Sequence, residues 1–163
     1  MKTHSIQSIL YPSLNSNLDG ISADIFFRGC RPPYCEGCHN LELQRFEKPN
    51  KSTEDIINSL KPYVDSLYVV TLMGGEPLDR SHKLLLELIV ELKQQFSDIK
   101  VAVYTGYNLS QVPLEILEHI DYVKCGQYQG QNKTPFGSFL ASKNQIMYQK
   151  SKDTWYIQWE CQD

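Results

Sequence analysis

Residues 67–104 constrain the fold of this chain more than any other stretch. Leu67-Tyr68-Val69-Val70-Thr71-Leu72 is a continuous apolar run of strand length, the pattern of a strand covered on both faces. Within 81–96, Leu84, Leu85, Leu88, Ile89 and Leu92 recur at helical spacing, leaving Lys83, Glu87, Glu91 and Lys93 to face water. Residues 99–104 read as a second strand. Strand, helix and strand in this order make a βαβ crossover, which requires parallel strands and a right-handed connection. The alternation continues more faintly on either side. Residues 22–28 read as a strand stopped by Gly29, and Ser52-Thr53-Glu54-Asp55 as an N-capped helix start ending near Pro62. Residues 113–120 read as a short helix and 122–124 as a strand. Beyond Gly126 the chain is polar and rich in Gly, Asn and Gln until a last strand at 155–159.

With 163 residues, no internal repeat and no linker, the chain is expected to form one domain over 1–163. Its net charge of −3, with basic residues scattered, excludes a phosphate-backbone binder, so no nucleic acid is expected as partner. No stretch reaches the length of a membrane span, and residues 1–5 lead into mixed polar sequence with no signal-peptide pattern. A cytoplasmic protein without membrane contact is expected. In that reducing setting five cysteines, three of them within nine residues, read as metal binding or catalysis before disulfides.

Cys30-Arg31-Pro32-Pro33-Tyr34-Cys35-Glu36-Gly37-Cys38 offers three thiolates on one loop after a strand. Thiolate donors favour zinc or an iron–sulfur cluster. A structural zinc site closes its tetrahedron with four ligands, and no second Cys-x-x-Cys or Cys-x-x-His pair is present to finish it. A zinc site completed by His4, His39, His82, His119 or a distant cysteine stays open as an alternative. A [4Fe–4S] cluster on three cysteines leaves one iron free for another ligand. Cys125 and Cys161 stand alone and read as small buried hydrophobes. Gly74-Gly75-Glu76-Pro77 leaves the strand at 67–72, on the edge where α/β folds bind ligands. Its glycines let backbone approach a ligand, and Glu76 can accept hydrogen bonds from an ammonium group. The same residues also suit an ordinary βα connection.

Taken together these motifs resemble the radical S-adenosylmethionine enzymes, and more narrowly the activating proteins of anaerobic (class III) ribonucleotide reductase. The segments that carry the likeness are Phe27-Arg28-Gly29-Cys30, Glu36-Gly37-Cys38-His39-Asn40, Met73-Gly74-Gly75-Glu76-Pro77, Tyr104-Thr105-Gly106-Tyr107 and Asp121-Tyr122-Val123 with Gly126. Ser142-Lys143-Asn144-Gln145 resembles a further stretch of the family. The resemblance implies a parallel α/β sheet forming a short, open partial (βα) barrel. It implies a [4Fe–4S] cluster on Cys30, Cys35 and Cys38, and S-adenosylmethionine bound by Gly74, Gly75, Glu76 and Pro77, with His39, Asn40, Tyr104 and Thr105 around it. The implied partners are the reductase large subunit, which would receive a glycyl radical, and a reduced flavodoxin-like electron donor. Another glycyl-radical enzyme or a small heterocycle as substrate stays open, as does a zinc-stabilised binding module without redox chemistry. One departure stands out, because the family pattern is Cys-x3-Cys-x2-Cys and this loop has four residues between Cys30 and Cys35. Pro32-Pro33 is expected to make that insert stiff and extended, bulging outward while the sulfurs converge.

Overall fold

The computed structural model describes residues 2–13, 18–135 and 138–162. In chain order the strands are β1 (Thr3–His4), β2 (Ile6–Ser13), β3 (Ser22–Phe27), β4 (Lys51–Ser52), β5 (Val69–Gly74), β6 (Lys100–Tyr104), β7 (Tyr122–Cys125), β8 (Ile146–Ser151) and β9 (Thr154–Glu160). The helices are α1 (Thr53–Leu60), α2 (His82–Gln95) and α3 (Leu114–Leu117). Seven strands form one sheet in the order β2-β3-β5-β6-β7-β8-β9, while β1 and β4 make a small antiparallel ribbon.

The central strands β3, β5, β6 and β7 run parallel. The outer strands β2, β8 and β9 pair antiparallel, so the sheet is mixed where a parallel one was expected. The reason is local for β8 and β9. They are joined by Lys152-Asp153, whose φ angles of 48° and 64° make the left-handed pair that a tight antiparallel hairpin requires. Sequence reading also left β2 and β8 unassigned, since both carry mixed polar residues.

Helix ends follow the capping chemistry of the sequence. Asp55 N–H donates to Ser52 Oγ (3.0 Å) and Ser52 N–H to Asp55 Oδ2 (3.1 Å), a reciprocal box that starts α1. Ser81 Oγ accepts from Leu84 N–H at the start of α2. The helix expected over 113–120 shrinks to the single turn of α3, because Asp121 N–H already bonds Val101 O (2.8 Å) and carries the chain into the sheet.

Strand periodicity of two decides what each face of the sheet meets. Val70, Leu72, Val101, Val103 and Val123 pack with Ile56, Leu60, Leu88, Ile89, Leu92 and Ile116 of the helices. Their neighbours Val69, Ala102, Tyr104 and Tyr122 point the other way, joining Leu18, Leu140 and Met147. One face is therefore sealed by helices, and the other is left to build a site.

Leu88 lies at the centre of the helical layer with no exposed surface. Leu88→Ala is expected to cost about 2–5 kcal/mol in a denaturant titration. Leu114→Ala, at a leucine 77% exposed, should shift stability by no more than about 0.5 kcal/mol.

Candidate functional site

A cavity of about 530 Å³ opens on the helix-free face, over the carboxyl ends of the parallel strands. Phe26, Met73, Tyr104 and Lys124 are the outward side chains nearest the ends of β3, β5, β6 and β7, and all four line it. Cys30, Cys35, Cys38, His39, Asn40, Gly74, Gly75, Glu76 and Thr105 line it as well. The structure thus brings the cysteine loop and the glycine loop, some forty residues apart in sequence, to one site. Pro77 is the exception. It is buried, starts a 3-10 turn, and faces a second cavity beside His4, Phe46 and Leu84.

The cysteine loop is closed on itself by Gly29 N–H to Leu43 O (2.7 Å) and Cys30 N–H to Gln44 O (2.9 Å). Its three thiols are free and half-buried, while Arg31 to Tyr34 are exposed. The insert expected to be extended is bent, with a cis Pro32–Pro33 peptide. Burial pushes the Cys30 thiol up to about 11 and raises that of Cys35, so both are neutral thiols at neutral pH without a metal. Among the described residues, no three His, Cys, Asp or Glu side chains are gathered tightly enough to hold one metal ion. The donor set is nonetheless of the kind an iron–sulfur cluster takes, since three free thiols border one cavity.

The glycine loop has a different role from the one its residue types suggest. Gly75 N–H donates to Phe27 O (2.7 Å) and Glu76 N–H to Gly29 O (2.9 Å), lacing the end of β5 to the end of β3. A Cβ at Gly75 would sit 2.8 Å from Gly29 N and O and 3.0 Å from Leu43 O. Gly74, at φ 104°, would meet Phe27 backbone at 2.8 Å. Both glycines serve close approach of two backbones, and both also border the cavity.

Glu76 is anchored. Its Oε1 accepts from Thr105 Oγ1 (2.8 Å) and Leu78 N–H (3.1 Å), and its Oε2 from Gly106 N–H (2.7 Å). Burial raises its pKa to about 7 although these donors favour the carboxylate. A carboxylate has about four acceptor positions, so a ligand ammonium would compete for what the loops leave. Asp79, on the 3-10 turn after Pro77, accepts from Tyr107 Oη and Arg31 N–H. Tyr107 is pushed up to about 12, chiefly by its hydrogen bond to Asp79.

Three contributors were not singled out in the sequence. Lys124 puts its Nζ 4.0 Å from the Tyr104 ring centroid, and burial lowers its pKa to about 8. Gln127 Nε2 donates to Pro33 O (2.6 Å), and Tyr128 Oη shares a hydrogen bond with His39 Nε2 (3.1 Å). Lys124 lies on β7, within the short strand expected at 122–124, whereas Gln127 and Tyr128 follow it in the polar stretch that reads as loop. Ser142-Lys143-Asn144-Gln145 supports them from below. Asn144 Nδ2 donates to Gln127 O (2.8 Å) and Gln145 Nε2 to Gly126 O (3.0 Å). Cys125 faces the core, and burial lifts its thiol to about 12. Cys161 lies outside the cavity lining.

A family model described as a 4Fe-4S single cluster domain matches residues 17–148, and the chain belongs to that family. Its curated relatives include the anaerobic ribonucleoside-triphosphate reductase-activating protein of Pasteurella multocida, 29% identical over 148 residues that cover 85% of this chain and 93% of that one. The protein of the same name from Haemophilus influenzae is 28% identical and that from Vibrio cholerae 25% identical, each covering 85% of this chain and 94% of its own length.

The lacing of the two loops yields a direct test. Gly75→Ala is expected to displace the cysteine loop and lower iron uptake on anaerobic reconstitution several-fold. Gly106→Ala, whose new Cβ would have no contact closer than 3.5 Å, should leave uptake unchanged.

Proposed function

We propose that this chain is a radical S-adenosylmethionine activase that generates a glycyl radical on the anaerobic ribonucleotide reductase. The observation that carries the reading is the shared cavity, with three free thiols on one wall and the laced glycine loop on another. The names of the relatives and the matched cluster domain support it. In this reading Cys30, Cys35 and Cys38 hold a [4Fe–4S] cluster, and S-adenosylmethionine lies between it and the strand ends. The chemistry supplied by the bound cluster is one-electron reduction of the sulfonium, giving methionine and a 5′-deoxyadenosyl radical that takes a hydrogen atom from the partner's glycine.

The chain's own residues bind, orient and screen. Gly74 and Gly75 bring backbone to the cavity edge, and Glu76 keeps the β5 and β6 loops together while offering an acceptor to the ligand's ammonium. Tyr104, with Lys124 against its ring, forms the floor under the ligand. His39, held by Tyr128, and Asn40 border the nucleoside side. We further propose that the sheet is a short partial (βα) barrel, one domain over 1–163, open on the side where the reductase glycine loop enters. A reduced flavodoxin-like protein is the proposed electron donor.

Reconstituted wild-type protein is expected to bind about four irons, the content of one cubane. Cys30→Ala, Cys35→Ala or Cys38→Ala should abolish that loading, and Cys125→Ala and Cys161→Ala should not. With S-adenosylmethionine, a strong reductant and the reductase large subunit, an electron paramagnetic resonance spectrum should gain a glycine-centred doublet. Iron loading that survives Cys35→Ala, or a doublet that forms only on another glycyl-radical enzyme, would reject the assignment.

A further inference from the structure

A second cavity, of about 370 Å³, takes no part in the reading above. Phe27, Phe46, Pro77, Leu84 and Leu85 give it an apolar lining, and Arg31 and Asp79 belong to both cavities. Arg80 is fixed in its wall by neutral partners alone. Its Nε donates to Arg28 O (3.3 Å), its Nη2 donates to Glu47 O (2.7 Å), and its guanidinium carbon lies 5.0 Å from the centroid of the Phe46 ring. The side chain is half-buried, and among the described residues no carboxylate pairs with it. Ser81, also in the lining, caps the 14-residue helix α2, so the positive end of that helix dipole meets the cavity. Ser5 lines it as well, and its buried hydroxyl has no hydrogen-bond partner among the described residues.

We propose that the second cavity binds a small organic anion, a carboxylate or phosphate carried on an apolar body, with the Arg80 guanidinium on its anionic head. A partly desolvated guanidinium without a counter-ion is unfavourable, and a bound oxyanion removes that penalty. Two backbone carbonyls and a ring hold the planar fork still, so little rotamer freedom is left to lose when two oxygens pair with it. The apolar lining takes the body of the ligand out of water, and the volume suits one small molecule. The one carboxylate among the described lining residues, Asp79, turns both its oxygens to other donors, Tyr107 Oη and Arg31 N–H. The inference stands apart from the activase reading, because Arg80, Ser81 and Leu84 lie outside the main cavity.

The test titrates the full chain calorimetrically with phenyl phosphate, with benzoate, and with phenol as the uncharged counterpart. At least one of the two anions should saturate a single site and bind about tenfold more tightly than phenol, the better of the two naming the head group. Arg80→Gln should weaken that binding about tenfold. Leu84→Trp, which fills the cavity without touching a charge, should abolish it. Lys124→Met, which removes the ammonium in the main cavity, should leave it unchanged. A circular dichroism melt checks that each variant is folded, and if Arg80→Gln is not, Leu84→Trp decides alone. No saturable binding of either anion, equal binding of phenol, or binding that Leu84→Trp leaves intact would overturn the proposal. Loss of binding in Lys124→Met would overturn it too, by placing the anion in the main cavity.

Discussion

Two backbone hydrogen bonds, from Gly75 N–H to Phe27 O and from Glu76 N–H to Gly29 O, hold the site together. Parallel strands diverge into separate loops at their carboxyl ends, and here those bonds continue the β3–β5 ladder past the last paired residues. They seat the first cysteine against the glycine loop. The Glu76 carboxylate then extends the same alignment to β6 by accepting from Thr105 and Gly106. Three neighbouring strand ends are thereby fixed relative to one another by main chain and one acid. The side chains that line the cavity inherit their positions from that frame.

The division of the sheet into two faces explains why the cavity is where it is. β5 and β6 are almost wholly buried, yet successive residues have different company, helices for Val70 and Val103 and the helix-free face for Val69 and Tyr104. Helix packing on one side leaves the cavity to open on the other, over the carboxyl ends of the parallel strands, where α/β proteins commonly bind ligands. Burial then acts on the titratable groups along that face. It raises the Cys30 and Cys35 thiols and Glu76 and lowers Lys124, in each case disfavouring the charged form.

Much of this was legible in the sequence, for physical reasons that also mark its limits. The β5–α2–β6 unit announces itself because a doubly covered strand and an amphipathic helix differ in period. The cysteine loop does so because three thiols in nine residues have few other uses. What escaped depends on long-range pairing. β8 and β9 carry no clean alternation, and their direction follows from a two-residue turn without glycine. The glycines of the β5 loop looked like room for a ligand, whereas their missing Cβ atoms face Gly29, Phe27 and Leu43. Pro77 belonged to the motif by adjacency, and the 3-10 turn carries it to the neighbouring cavity. Gln127 was invisible as a contributor, because its partner Pro33 lies 94 positions earlier.

That separation fixes when the site can exist during synthesis. The cysteines emerge early, but the clamp on their loop comes from residues 127–130, and its support from Asn144 and Gln145 comes later still. Closing contacts over such a span carries a chain-entropy cost that the sheet between them must first offset. The cradle of the cysteine loop is therefore complete only once the strands between its two halves have paired.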